Sequence, residues 1–106
     1  RAGELVLQAD SHRVTMGSEE LEMTPTQFRL LHFFMAQPER AFSRTEIRKA
    51  VWGSKGDTKD RVVDGQIRRL RRLLQASNPE YGRLIQTVRG TGYRFSSRDL
   101  SVPTEK

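Results

Sequence analysis

Apolar residues change their rhythm along this chain, and each change marks an element. Over residues 4–22 they fall in short alternating segments, ELVL and HRVTM, with DSH and MGSEE between them. Period-two alternation predicts a small antiparallel sheet with tight turns. At MTPTQF the rhythm becomes helical: Thr24 stands as N-cap, Pro25 at the first helical position, and Gln27 three residues on, where it closes a capping box. Met23 and Phe28 occupy the positions of a hydrophobic staple. This helix is predicted to run to about Ala36, stopped by Gln37-Pro38. Its wide apolar surface (Phe28, Leu30, Leu31, Phe33, Phe34, Met35) makes it the central core helix.

The same start signal recurs at AFSRTEI, with Ser43 as cap, Glu46 closing the box and Phe42 stapling to Ile47. A short helix to about Trp52 follows. Gly53-Ser54-Lys55-Gly56 ends it, and Asp57 or Thr58 is placed to cap the next. In DRVVDGQIRRLRRLLQ, residues 60–75, Val63, Ile67, Leu70 and Leu74 recur at i, i+4, i+7 and i+11, within an arc of about 60°. Arg61, Arg68, Arg69 and Arg72 lie opposite, and Gly65 sits at the centre of that opposite face. Asp64 falls on the flank, where it could steer Arg68 or Arg71. After Asn78-Pro79 the helix is over. LIQTVRGTGYRFS, residues 84–96, alternates into a turn and back, with Arg89 at the tip, Arg94 on the return strand, and Gly90 and Gly92 supplying positive φ. The layout is α+β: a sheet, three helices of which the last two form a helix-turn-helix, and a basic hairpin as a wing. Residues 1–96 form this domain, and 97–106 read as a loose tail.

Composition narrows what such a layout does. The chain has 106 residues, a formal net charge of +6, and no cysteine. Disulfides and thiolate metal sites are excluded, and His12 and His32 lack metal-ligand spacing, so no metal or cofactor is called for. No apolar run approaches the roughly 20 residues that span a bilayer, and no signal peptide opens the chain, so the cytoplasm is the default compartment. The chain begins at Arg1, as a segment of a longer protein would. Arg-Gly-Thr-Gly (89–92) is half of a phosphate cradle, but it leads into a strand and not a helix N-terminus. No serine elbow or carboxylate pair suggests an enzyme.

The basic excess points to a polyanion. A solvated helix face normally mixes its signs, and this one sets a single flanking acid against five arginines. A membrane-surface helix would need its own apolar face, and here the core uses it. A small basic RNA-binding domain is the main alternative. RNA-reading sheets expose aromatics for stacking, whereas most aromatics here (Phe28, Phe33, Phe34, Phe42, Trp52) sit at core or staple positions. An arginine-lined helix suits the major groove of B-DNA, and Arg89 the adjacent minor groove.

The segments HRV…G…LEMTPTQFRLLHFFMAQPER, SRTEI…VWG, DRVVD..IRRLR and QTVRGTGYRF, spread from Leu5 to Phe95, resemble the C-terminal effector domains of OmpR/PhoB-family response regulators, in particular their phosphate-regulon branch. The resemblance implies a four-stranded N-terminal sheet, three helices and a wing. It also implies an N-terminal receiver domain controlled by a sensor kinase, and pairing as a tandem dimer on double-stranded DNA. By position, Asp64, Gly65, Gln66 and Arg69 would face bases. Trp52, Arg61, Arg68, Arg71, Arg72, Thr87 and Tyr93 would hold phosphates, and Arg89, Gly90 and Thr91 would form the minor-groove tip. The loop Gly53, Ser54, Lys55, Gly56, Asp57, Thr58, Lys59 is where such regulators meet RNA polymerase through its sigma subunit. Three positions depart from the pattern the resemblance implies: Gly65 and Gln66 stand where valine and histidine are usual, and Lys59 where an acid is usual.

Overall fold

In the computed structural model, which describes residues 2–53 and 58–98, the chain builds two antiparallel sheets around three helices. The N-terminal sheet runs in sequence order: β1 (Leu5–Gln8), β2 (Arg13–Met16) and β3 (Glu19–Leu21). Its register sets Leu7 opposite Val14 and Val14 opposite Leu21. Then come α1 (Pro25–Met35), β4 (Ala41–Ser43), α2 (Arg44–Trp52) and α3 (Asp60–Ser77). A 3₁₀ turn (Pro79–Leu84) leads into β5 (Ile85–Val88) and β6 (Gly92–Phe95). The second sheet has the order β4-β6-β5.

Both capping boxes form. Thr24 Oγ1 accepts from the Gln27 amide at 3.1 Å while Gln27 Oε1 accepts from the Thr24 amide at 2.9 Å. Ser43 and Glu46 repeat the exchange at 3.0 and 2.8 Å. α3 starts differently. Its N-cap is Lys59, with no side-chain cap bond, so Thr58 does not cap it; Asp57 lies outside the described residues. Asp60, in the first turn, puts its negative charge at the positive end of the helix dipole instead.

The core joins α1 to α3. Leu30, Leu31 and Phe34 of α1, Ile47 of α2, and Val63, Ile67, Leu70 and Leu74 of α3 are all at most 1% exposed. This is the stripe that the 3.6-residue spacing marks out. Phe33 and Met35 are only partly buried, so α1 is narrower in its buried face than its composition suggests. The 3₁₀ turn adds Tyr81 and Leu84, both fully buried. The Tyr81 hydroxyl accepts from the Glu4 amide at 2.8 Å, tying the N-terminal sheet to the far end of the chain.

The N-terminal sheet has three strands, not the four that the family resemblance implies. Ala41–Ser43 is a strand, but it pairs with β6 and serves as the third strand of the wing sheet. Gly92 is what lets it in. Ser43 lies opposite Gly92, and a β-carbon there would fall inside contact distance of the Phe42 carbonyl and 3.0 Å from Ser43 Cα. Gly92 is therefore held by close backbone approach. Gly90, with φ 81° and nothing near its missing side chain, is the glycine that the turn itself requires. Beyond the wing, the Arg98 amide donates to Ser96 Oγ at 3.2 Å, and the rest of the predicted tail lies outside the described residues.

The two glycines should respond oppositely to one methyl group. A β-carbon on Gly65 would meet nothing within 4 Å beyond its own helix, so Gly65→Ala should stabilise the domain by about 1 kcal/mol. That is a melting rise of about 4–8 °C at this size. Gly92→Ala should cost about 2–3 kcal/mol and lower the melting temperature by ~10 °C or more. Thermal melts followed by circular dichroism read both. A neutral Gly92→Ala would mean that β4 does not seal the wing.

Candidate nucleic-acid interface

The pose of α3 is set where its first two turns meet α2. Asp60 and Asp64 lie one helical turn apart, and so do Arg44 and Arg48 on α2. Arg48 Nε donates to Asp60 Oδ1 at 2.5 Å, and Arg44 Nη2 stands 2.9 Å from Asp64 Oδ2, an antiparallel double pairing. Each acid has a further donor. The Thr45 hydroxyl gives Asp60 Oδ2 a bond of 2.6 Å, and the Tyr93 hydroxyl gives Asp64 Oδ1 another of 2.6 Å. The bonds from Thr45 and then Arg48 hold the Asp60 carboxyl below its ordinary value. These groups are partly solvated, so the pairs orient the helix more than they stabilise the fold.

Asp64 therefore does not steer Arg68 or Arg71. Its oxygens are engaged by α2 and the wing. Arg71 is occupied too: Nε donates to the Ile85 carbonyl at 2.8 Å, Nη2 to Thr87 Oγ1 at 2.9 Å, and the guanidinium lies 5.5 Å from the centre of the Tyr93 ring. Burial pushes its pKa down from the usual arginine range. Arg71 and Asp64 thus grip the hairpin from two points on α3, with Tyr93 between them. On the wing itself, Arg94 is spent on Gln86 at 2.7 and 3.1 Å.

The remaining predicted residues sort by exposure. Arg61, Arg68, Arg69 and Arg72 project from the outer face of α3, exposed and without a hydrogen bond or ion pair to any described residue. Gly65 and Gln66 lie among them, partly buried. Arg89, Gly90 and Thr91 form the exposed hairpin tip, and a concave cleft lined by Asp64, Arg44, Thr87, Arg89 and Tyr93 separates that tip from α3. Trp52 closes α2 half-buried, packed on the core. Of the predicted polymerase loop, Gly53, Thr58 and Lys59 are described, while Ser54, Lys55, Gly56 and Asp57 lie outside the described residues. Among the described residues no cluster of three or more His, Asp or Glu could hold a metal ion. No described helix is long and apolar enough to cross a membrane.

Arg44 and Arg48 were not singled out by the sequence reading. Their signal was present: an i, i+4 pair of bases on one predicted helix and an i, i+4 pair of acids on the next.

The family described as "Transcriptional regulatory protein, C terminal" matches residues 18–95. The chain belongs to that family. This regulator domain is 54% identical over 94 residues to the phosphate regulon transcriptional regulatory protein PhoB of Escherichia coli K12, covering 89% of the chain and 40% of that protein. With PhoB of Pseudomonas aeruginosa it is 49% identical over 96 residues, covering 91% of the chain and 41% of the relative. It therefore spans about 40% of the length of these relatives. Among solved structures it resembles the DNA-binding domain of the response regulator AdeR in complex with an intercistronic region, with a TM-score of 0.80, 26% identity, and coverage of 91% of this chain and 97% of that one. It also resembles the Klebsiella pneumoniae RstA DNA-binding domain in complex with the RstA box, at 0.78, 29%, 92% and 95%. The regulator domain thus has the winged-helix form, with α2 and α3 as its helix-turn-helix and β5-β6 as its wing.

The bond from Tyr93 to Asp64 makes an alkaline prediction. Burial first, then the hydrogen bond to Asp64, push the phenol from 10.0 up to about 12. A raised value contributes stability that is complete below pH 10 and is lost as pH rises toward 12. The difference in urea midpoint between wild type and Tyr93→Phe should be constant below pH 10 and shrink between pH 10 and 12. A difference that stays constant to pH 12 would show that Asp64 does not hold the phenol.

Proposed function

We propose that this regulator domain binds duplex DNA with α3 in the major groove and the Arg89 tip in the adjoining minor groove. The observation that carries this reading is the open arginine face. Arg44, Arg48, Arg71 and Arg94 are matched by acids, carbonyls or amides of the fold, while Arg61, Arg68, Arg69 and Arg72 have no such partner among the described residues. A row of unmatched cations along one helix is complementary to phosphates. Gln66 and Arg69 would read base edges, with Gly65 beside Gln66, and Arg61, Arg68 and Arg72 would hold backbone phosphates together with Trp52 and Thr87, while Tyr93, whose hydroxyl proton goes to Asp64, would act through position. Asp64 and Arg71 would act mainly through position, fixing the angle between helix and wing. The described aromatics are buried or half-buried, which favours a duplex over single-stranded RNA.

The full-length protein would add a phosphorylated receiver domain and pair as a tandem dimer on direct repeats, in the cytoplasm. The loop Gly53–Lys59 would face RNA polymerase, with Lys59 reversing the usual charge of that surface.

Arg68→Ala should flatten the plot of log affinity against log salt by about one unit and weaken all duplexes alike. Arg69→Ala should instead narrow the gap between specific and non-specific affinity at fixed salt, by roughly 1–3 kcal/mol. Equal losses on both kinds of duplex would make Arg69 a phosphate clamp. A preference for structured RNA in competition would overturn the duplex reading.

A further inference from the structure

Val62 is the one exposed large hydrophobic side chain among the described residues, at 36%. It stands in the first turn of α3, and position on the helix gives it meaning. Val62, Gln66 and Arg69 recur at i, i+4 and i+7, so they share a stripe within about 60° of arc. An isolated surface valine ordinarily needs no account. This one is a β-branched residue at an exposed helical site, where arginine or alanine would favour the helix more. Exposed arginines lie beside it, Arg61 before it and Arg69 two turns on. One turn along, Gly65 leaves open space: a β-carbon there would touch nothing within 4 Å. The result is a small apolar prominence beside a notch, set in a cationic surface.

We infer that Val62 reads the C5 methyl of a thymine. This rests on the major-groove reading of α3 and deepens it. The charge around Val62 selects a polyanion, and the polyanion that offers a methyl group in its major groove is thymine-containing duplex DNA. The missing side chain of Gly65 lets the base edge approach closely enough for the two apolar surfaces to meet. Val62 is thus a specificity residue of the same stripe as Gln66 and Arg69, selecting a base by shape and dryness where they use hydrogen bonds.

The test uses this chain and a duplex enriched from a random pool, with each thymine replaced in turn by uracil. Uracil keeps the pairing and removes only the methyl. Wild type should lose about three- to fivefold in affinity at one position, the factor for one methyl-sized group taken from water. Val62→Ser should bind thymine and uracil duplexes equally at that position, with its melting temperature and salt slope unchanged. Val62→Ile, which keeps the apolar surface, should retain the penalty and guards against a serine effect on the helix start. Uracil tolerated at every position, with tight duplex binding intact, would overturn this inference alone. So would a penalty that persists undiminished in Val62→Ser. Failure to enrich any duplex would overturn the major-groove reading and this inference with it.

Discussion

Arg44 and Arg48 of α2 meet Asp64 and Asp60 of α3 in opposite order, and this ladder sets the pose on which the binding surface depends. The apolar stripe from Val63 to Leu74 supplies the burial that keeps α3 on the core. A stripe of that kind tolerates some rolling and sliding, because hydrophobic contact has no direction. Charged hydrogen bonds have direction, and here they are placed at the end of α3 that meets the wing. Tyr93 carries the constraint across to β6 by donating to the same Asp64 that Arg44 holds. Helix, neighbouring helix and hairpin are fixed at one carboxylate.

This arrangement divides the arginines into two populations. One is neutralised by the fold and partly withdrawn from water, as Arg71 is between the Ile85 carbonyl and the Tyr93 ring. The other is left facing out along α3, where mutual repulsion is the condition of its usefulness. Sequence alone gives both kinds the same letter. Only the partner tells them apart.

Much of the architecture was legible because local chemistry and burial agreed. Thr24-Gln27 and Ser43-Glu46 are complete capping boxes within four residues, and the α3 stripe repeats four times without interruption. What stayed hidden depended on partners far along the chain. Ala41-Phe42-Ser43 reads as a helix entry, and it is that, but the same three residues also pair with β6. Gly92 looked like a turn residue because its steric neighbour, the Phe42 carbonyl, is remote in sequence. Asp64 pointed equally well toward Arg68 and Arg71 on a helical wheel, and the wheel contains neither Arg44 nor Tyr93. The Pro79–Leu84 turn has no periodicity to announce it, although it buries Tyr81 completely. In the candidate interface, the outward arginines were legible and the residues that aim them were not.

The pairing of β4 with β6 has a consequence for how the molecule comes into being. Residues 41–43 leave the ribosome well before their partners at 92–94, roughly fifty residues later, have been made. Until then Phe42 has no strand beside it, and all three helices are already available to pack. α3 can therefore form and dock while the nascent chain still lacks any wing. The surface becomes whole only once β6 has emerged and settles between β4 and β5, with Gly92 close under the Phe42 carbonyl.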